Sequence, residues 1–241
     1  MSKSKLLRKI EKENKKFEQM SPYNFCDRWC ERCDTNTQKR CRLYMDELDW
    51  KLSNIADKRD PDDLRNLEEK LKKEQESLSD KIQPWEEEND YDFSDNTFEH
   101  KDEQKKMDSL HEYPIFKTSD QYRKKAHEFL KDVYYEKEDF DSELKYDYET
   151  ISWYHTLLPV KLYRALSGIY GEDEEADSEM RFYSLCDAIA QFAICKKAIK
   201  ASDNALSNIA HKNESLHSSI RDLQVILQNL ASRISMMEEQ I

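Results

Sequence analysis

A chain of 241 residues has room for one large domain or two small ones. Hydrophobic and charged residues each make up 37%, and the net charge is −12; this balance argues against one large apolar core, fits amphipathic helices with solvated outer faces, and opposes binding to nucleic acid or anionic membranes. Gly168 and Gly171 are the only glycines, which disfavours turn-rich β folds and excludes the Walker loop and the dinucleotide fingerprint, all of which need backbone that glycine supplies.

In chain order, residues 4–20 predict a short charged helix that Ser21-Pro22 ends. Over residues 3–16, Lys3, Lys5, Arg8, Lys9, Lys12, Lys15 and Lys16, set against Glu11 and Glu13, read as a solvated face. The N-terminus lacks the apolar run of a signal peptide, and no stretch of about 20 apolar residues is present to span a membrane. The expectation is a cytoplasmic chain whose thiols stay reduced.

A cysteine knuckle is expected over 23–41, then a helix over 41–58 with Leu48, Leu52 and Ile55 on one face. Asp60-Pro61-Asp62-Asp63 reads as a helix start, with Asp60 as cap and Pro61 in the first helical position. Leu64, Leu67, Leu71, Leu78 and Ile82 then form a narrow apolar stripe that Pro84 stops, so that the two helices make a hairpin. This predicts a first domain over 1–85 and an acidic linker over 86–113.

The rest, 114–241, predicts an antiparallel four-helix bundle. Thr118-Ser119-Asp120-Gln121 fits a capping box, followed by Tyr122, Ala126, Phe129, Leu130 and Val133. A second helix is expected over 147–167, with Ile151, Tyr154, Leu158, Leu162, Ala165 and Leu166 inward and Gly168 as its stop. A third is expected over 178–201 and a last over 204–238. The last carries a seam of Ile209, Leu216, Ile220, Leu223, Leu227, Leu230, Ile234 and Met237 that is suited to a bundle or to self-association.

The chemistry concentrates in Cys26, Cys30, Cys33 and Cys41, spaced C-x3-C-x2-C-x7-C. Thiolate is the ligating form, and four thiolates brought together need a cation between them. On a helical turn the first three share a face, and Cys41 can fold back to close the site. Arg28, Arg32, Lys39, Arg40 and Arg42 are available to offset its charge. A structural Zn2+ site is the first reading, on prevalence. A [4Fe-4S] cluster uses the same ligands, with Tyr23, Phe25 and Trp29 as shielding. Disulfides or unligated thiols complete the alternatives. The first three cysteines have the bare spacing of radical SAM enzymes. Arg32 stands where that family usually has an aromatic, and no alternating βα pattern follows.

The stretch Tyr23 to Cys33, with Cys41 after it, resembles a group of bacterial proteins that share C-D-x-x-C-E-x-C-x7-C. Trp153-Tyr154-His155 through Pro159, Lys161, Arg164, Ala165 and Leu166 resembles a second stretch of theirs. The group has no assigned activity, so the resemblance implies kinship and transfers no function.

Other signals are weaker. Pro159 inside a helix frees the His155 carbonyl, and His155, Lys161 and Arg164 nearby suggest a polar pocket for a bundle enzyme or ligand binder. Glu214-x-x-His217 has the form of a di-iron motif but lacks a second copy. Cys186 and Cys195 lie on opposite helix faces and read as packing residues. The leading expectation is a non-enzymatic, all-α metal-binding protein that engages a protein partner. An iron–sulfur redox sensor or electron carrier is the alternative.

Overall fold

The computed structural model describes residues 5–65, 68–78, 108–137, 140–171 and 178–241. Among the described residues all regular structure is helical, as the composition requires, and no helix is long and apolar enough to cross a membrane. The chain divides into two units: Met1–Trp29 with Lys106–Ile241, and Cys30–Lys105.

The first unit contains α1 (Lys5–Met20), α4 (Pro114–Leu130), α5 (Lys145–Tyr170), α6 (Ser178–Lys212) and α7 (His217–Gln240). Helices α5 and α6 share the most extensive contact; α4 packs on α5 and α7, and α7 closes on α6. Ile151, Tyr154, Leu158, Leu162, Ala165 and Leu166 of α5 are all buried, as their spacing predicts. Ile220, Leu223, Leu227, Leu230 and Ile234 of α7 are buried within the same unit, so this part of the apolar seam is covered by its own chain.

The sequence-based division is 1–85, 86–113 and 114–241; in the first unit α1 packs on α6. Leu7 and Ile10 are buried, Asn14 Nδ2 donates to the Cys186 carbonyl (2.8 Å), and the Lys9 ammonium lies 4.3 Å from the centre of the Phe182 ring. Lys5, Arg8, Lys12, Lys15 and Lys16 remain exposed.

Three boundaries also differ from expectation. Helix α4 starts at Pro114 in its first turn, so Thr118 and Ser119 lie inside it as buried residues whose hydroxyls donate to the carbonyls of Pro114 and Phe116 (both 2.7 Å). Gly168 does not stop α5, which runs to Tyr170. A Cβ at 168 would lie 2.7 Å from the Ser184 carbonyl oxygen, so glycine serves the close approach of α5 to α6. Helix α6 continues through Ser202-Asp203-Asn204 to Lys212, placing Ile209 on α6 and not on the final helix. Ser202 is buried and the Asp203 carboxylate accepts from Gln224 (3.0 Å), so tertiary contacts support the polar triplet in helical form.

In the second unit, α2 (Thr35–Arg40) and α3 (Arg42–Ala56) follow the cysteines. Lys58 (φ 58°) and the Arg59 N–H to Asn54 carbonyl bond (2.8 Å) close α3. The expected start at Asp60-Pro61 is a turn instead: Asp60 accepts from the Asp62 N–H, Asp63 accepts from the Arg65 N–H, and the described helical residues that follow are Arg65 and 68–78. Buried Asn54 braces this turn by donating to the carbonyls of Pro61 (2.9 Å) and Asp63 (2.8 Å), which draws the chain through a further turn before helix can begin. Leu48, Leu52 and Ile55 are exposed. Leu67, Ile82, Pro84 and the linker expected from residue 86 up to 107 lie outside the described residues.

Candidate metal centre

The cysteine segment begins with Ser21-Pro22, where proline opens a 3-10 turn over Pro22–Asn24. The carbonyl of Tyr23 then accepts from the Cys26 thiol (3.6 Å) and from Arg28 Nε (3.1 Å). Arg28 has φ 59°, a backbone that side chains adopt at a cost of about 1–3 kcal/mol. This reversal lets the residues on both sides of it reach α5. Asp27 Oδ2 accepts from the Tyr154 hydroxyl (2.7 Å) and the Lys197 ammonium (3.2 Å), and the Asp27 carbonyl accepts from Trp153 Nε1 (2.8 Å). The Trp29 ring stacks on Trp153 (5.3 Å between ring centres) and meets Tyr154 edge-on (6.0 Å).

Burial works to raise the Asp27 pKa. The hydrogen bond from Tyr154, the charge of Lys197 and the Trp29 N–H together outweigh it, so the carboxyl is held below its ordinary value. On the other side of the turn, Gln191 Nε2 donates to the Asn24 carbonyl (3.2 Å) and to Asp187 Oδ1 (3.0 Å). The Cys26 turn is thus tied to α5 and α6 by side chains of both helices.

In the second unit, Cys30–Arg32 form a 3-10 turn in which the Cys33 N–H donates to the Cys30 carbonyl (3.2 Å). Asp34 caps α2 by accepting from Asn36 and Thr37. Gln38 then joins the two ends of the segment. Its Nε2 donates to the Cys30 carbonyl (2.9 Å), and its own carbonyl accepts from the Cys41 N–H (3.1 Å). The Cys41 carbonyl accepts from the Met45 N–H (3.0 Å) at the start of α3. Gln38 therefore links Cys30 and Cys41, eleven residues apart in sequence, through a single residue.

All six cysteines are free thiols. Cys26, Cys30 and Cys33 are partly exposed and Cys41 is buried. Among the described residues no group of three or more His, Cys, Asp or Glu side chains is arranged to hold a metal ion. The donor set for a metal is read from the sequence, four thiols in sixteen residues. Cys186 and Cys195 are buried, and burial pushes their thiols up to about 11 and about 12, as packing residues require.

The polar residues near Pro159 turn in different directions. His155 Nδ1 lies 2.7 Å from the Ser152 carbonyl oxygen, which fixes it as the donor, and the ring stacks on His127 of α4 (5.8 Å). Burial lowers the His155 pKa. Arg164 is held by Asp187 through two bonds of 2.7 Å. Lys161 is buried, and its electrostatic neighbours include Arg164, Arg28 and Cys26. Sequence reasoning missed Asp27, Gln38 and Gln191 as organisers of the cysteine segment. The available signal was the acidic residue next to Cys26 in a stretch otherwise rich in arginine.

No known protein family matches this chain, and no curated protein or solved structure matches it significantly.

Proposed function

We propose that this is a metal-binding helical protein in which Cys26, Cys30, Cys33 and Cys41 hold a structural Zn2+ ion, and that the braced segment serves interaction with a protein partner in the cytoplasm. In this reading a metal-stapled knuckle and helical hairpin accompany a four-helix bundle. The observation that carries it is the Gln38 bridge, which joins the Cys30 turn to Cys41 by side-chain and main-chain bonds. Free thiols at all four positions agree with the donor set that zinc takes. The exposed Leu48, Leu52 and Ile55 on α3 give the same segment an apolar face, which supports the interaction role.

Replacing Cys30 by serine tests this. Zinc content and melting temperature fall together if the ion is a staple; unchanged stoichiometry in Cys30→Ser removes Cys30 from the ligand set. A second reading, a [4Fe-4S] redox sensor or electron carrier, draws support from the Trp29, Trp153 and Tyr154 rings packed together at the Cys26 turn, since aromatic cover limits solvent access to a cluster. It predicts a brown protein after anaerobic purification.

A further inference from the structure

Helix α1 carries Lys5, Arg8, Lys9, Lys12, Lys15 and Lys16. At about 100° of rotation per residue these cations fall within an arc of about 120°. Gln19 is the one other residue of α1 in that arc, and Glu11, Glu13 and Glu18 lie outside it. Leu7, Ile10, Asn14 and Phe17 occupy the opposite arc. There Leu7 and Ile10 are buried, Asn14 Nδ2 donates to the Cys186 carbonyl (2.8 Å), and Phe17 meets Tyr183 edge-on (5.8 Å). Docking on α6 therefore turns the cationic face to solvent, and all of its cations are exposed.

Lys16 pairs with Glu13 (2.8 Å), and the Lys9 ammonium lies over the Phe182 ring. Among the described residues no carboxylate forms an ion pair with Lys5, Arg8, Lys12 or Lys15. Lys5 and Lys9, Arg8 and Lys12, and Lys12 and Lys16 are like charges one helical turn apart, a pattern that weakens a helix. An anion laid along the face relieves that repulsion. The face runs about 16 Å from Lys5 to Lys16. The rest of the first unit, 21–29 with 106–241, is net acidic. Screening confines the field of exposed charges to about 8 Å at physiological salt. A nucleic-acid duplex or a bilayer extends past the face and is repelled by the acidic remainder. A bilayer also gains no apolar insertion, because α6 covers Leu7 and Ile10. A short acidic stretch of protein fits within the face.

We propose that the outer face of α1 docks an acidic segment of a partner protein, whose carboxylates lie along Lys5, Arg8, Lys12 and Lys15. Lysine suits this role, since its ammonium is a point charge on a flexible stem that follows carboxylates of varied spacing. No cysteine takes part, so the inference stands apart from the metal reading.

The experiment uses the full-length chain and a fluorescein-labelled peptide of alternating glutamate and serine, read by anisotropy at about 50 and about 200 mM salt. One variant neutralises the face, with Lys5→Gln, Arg8→Gln, Lys12→Gln and Lys15→Gln together. A control variant removes as many charges elsewhere on the same unit, replacing the exposed Lys125, Lys131, Lys145 and Lys200 by glutamine. Thermal melting checks that each variant folds. The inference predicts wild-type binding that weakens as salt rises, a loss of about tenfold or more in the face variant, and a change under about twofold in the control. If the face variant does not fold, Lys12→Gln with Lys15→Gln carries the same comparison. No binding by wild type, or an equal loss in both variants, overturns the inference. Tighter binding of a labelled DNA oligonucleotide or of phosphatidylserine vesicles through the same face overturns it too, by replacing the partner class.

Discussion

The Tyr154 hydroxyl donates to Asp27 Oδ2 over 2.7 Å, joining residues 127 positions apart. Each belongs to one of the two stretches that stand out in the sequence, the cysteine segment and the Trp153-Tyr154-His155 helix. Trp153 Nε1 bonds the Asp27 carbonyl next to it, so one residue receives both aromatic side chains. This explains why an acidic residue sits beside a cysteine: it anchors the Cys26 turn to α5.

That anchor predicts coupling. Asp27→Ala should destabilise the protein by about 2 kcal/mol, because it leaves the Tyr154 hydroxyl and Lys197 without their acceptor. Tyr154→Phe should cost about 1 kcal/mol. In urea denaturation the double variant should cost less than the sum of the two. Strict additivity would mean that the bond contributes nothing to stability.

Two pH windows follow from the shifted groups. Asp27 has a lowered pKa in the folded state, so its contribution is fully present above its unfolded value of about 3.9 and is lost as pH falls through the folded value. The Tm difference between wild type and Asp27→Asn should therefore be constant near neutrality and should close only in acid. His155 is also lowered, because burial disfavours its charged form. Its penalty begins as pH falls below about 6.5, where the unfolded chain takes up the proton first. His155→Gln should flatten the Tm profile between about pH 7 and 5. An unchanged slope there would assign the neutral histidine no part in acid sensitivity.

Gly168→Ala tests the contact between α5 and α6. Helix propensity alone would favour alanine by about 1 kcal/mol. The new Cβ would meet the Ser184 carbonyl oxygen at 2.7 Å and the Ala188 Cβ at 3.3 Å, and the carbonyl is backbone that cannot swing aside. A net loss of about 1–3 kcal/mol is expected by chemical denaturation. A gain in stability would show that the helices separate without cost.

The helical class and the inward face of α5 were legible because apolar spacing is a local property, and Ile151, Leu158 and Leu162 are buried as that spacing requires. Boundaries were less legible. Thr118-Ser119 and Ser202-Asp203-Asn204 look like breaks, yet the Thr118 and Ser119 hydroxyls find partners within the helix and the Asp203 carboxylate finds Gln224 of α7. Gly168 reads as a stop when only its own helix is considered, and as a contact once α6 is beside it. The four cysteines were visible from spacing alone. Asp27, Gln38 and Gln191 were not, since their partners are set by the fold; Gln191 reaches Asn24 from 167 positions away.

The central claim concerns the four cysteines, and elemental analysis with an absorption spectrum, on protein purified without oxygen, tests it most directly. The account predicts about one zinc per chain and no visible colour. About four irons with matching sulfide would replace zinc by the cluster reading. Finding neither metal would contradict the account and return Cys26, Cys30, Cys33 and Cys41 to ordinary thiols.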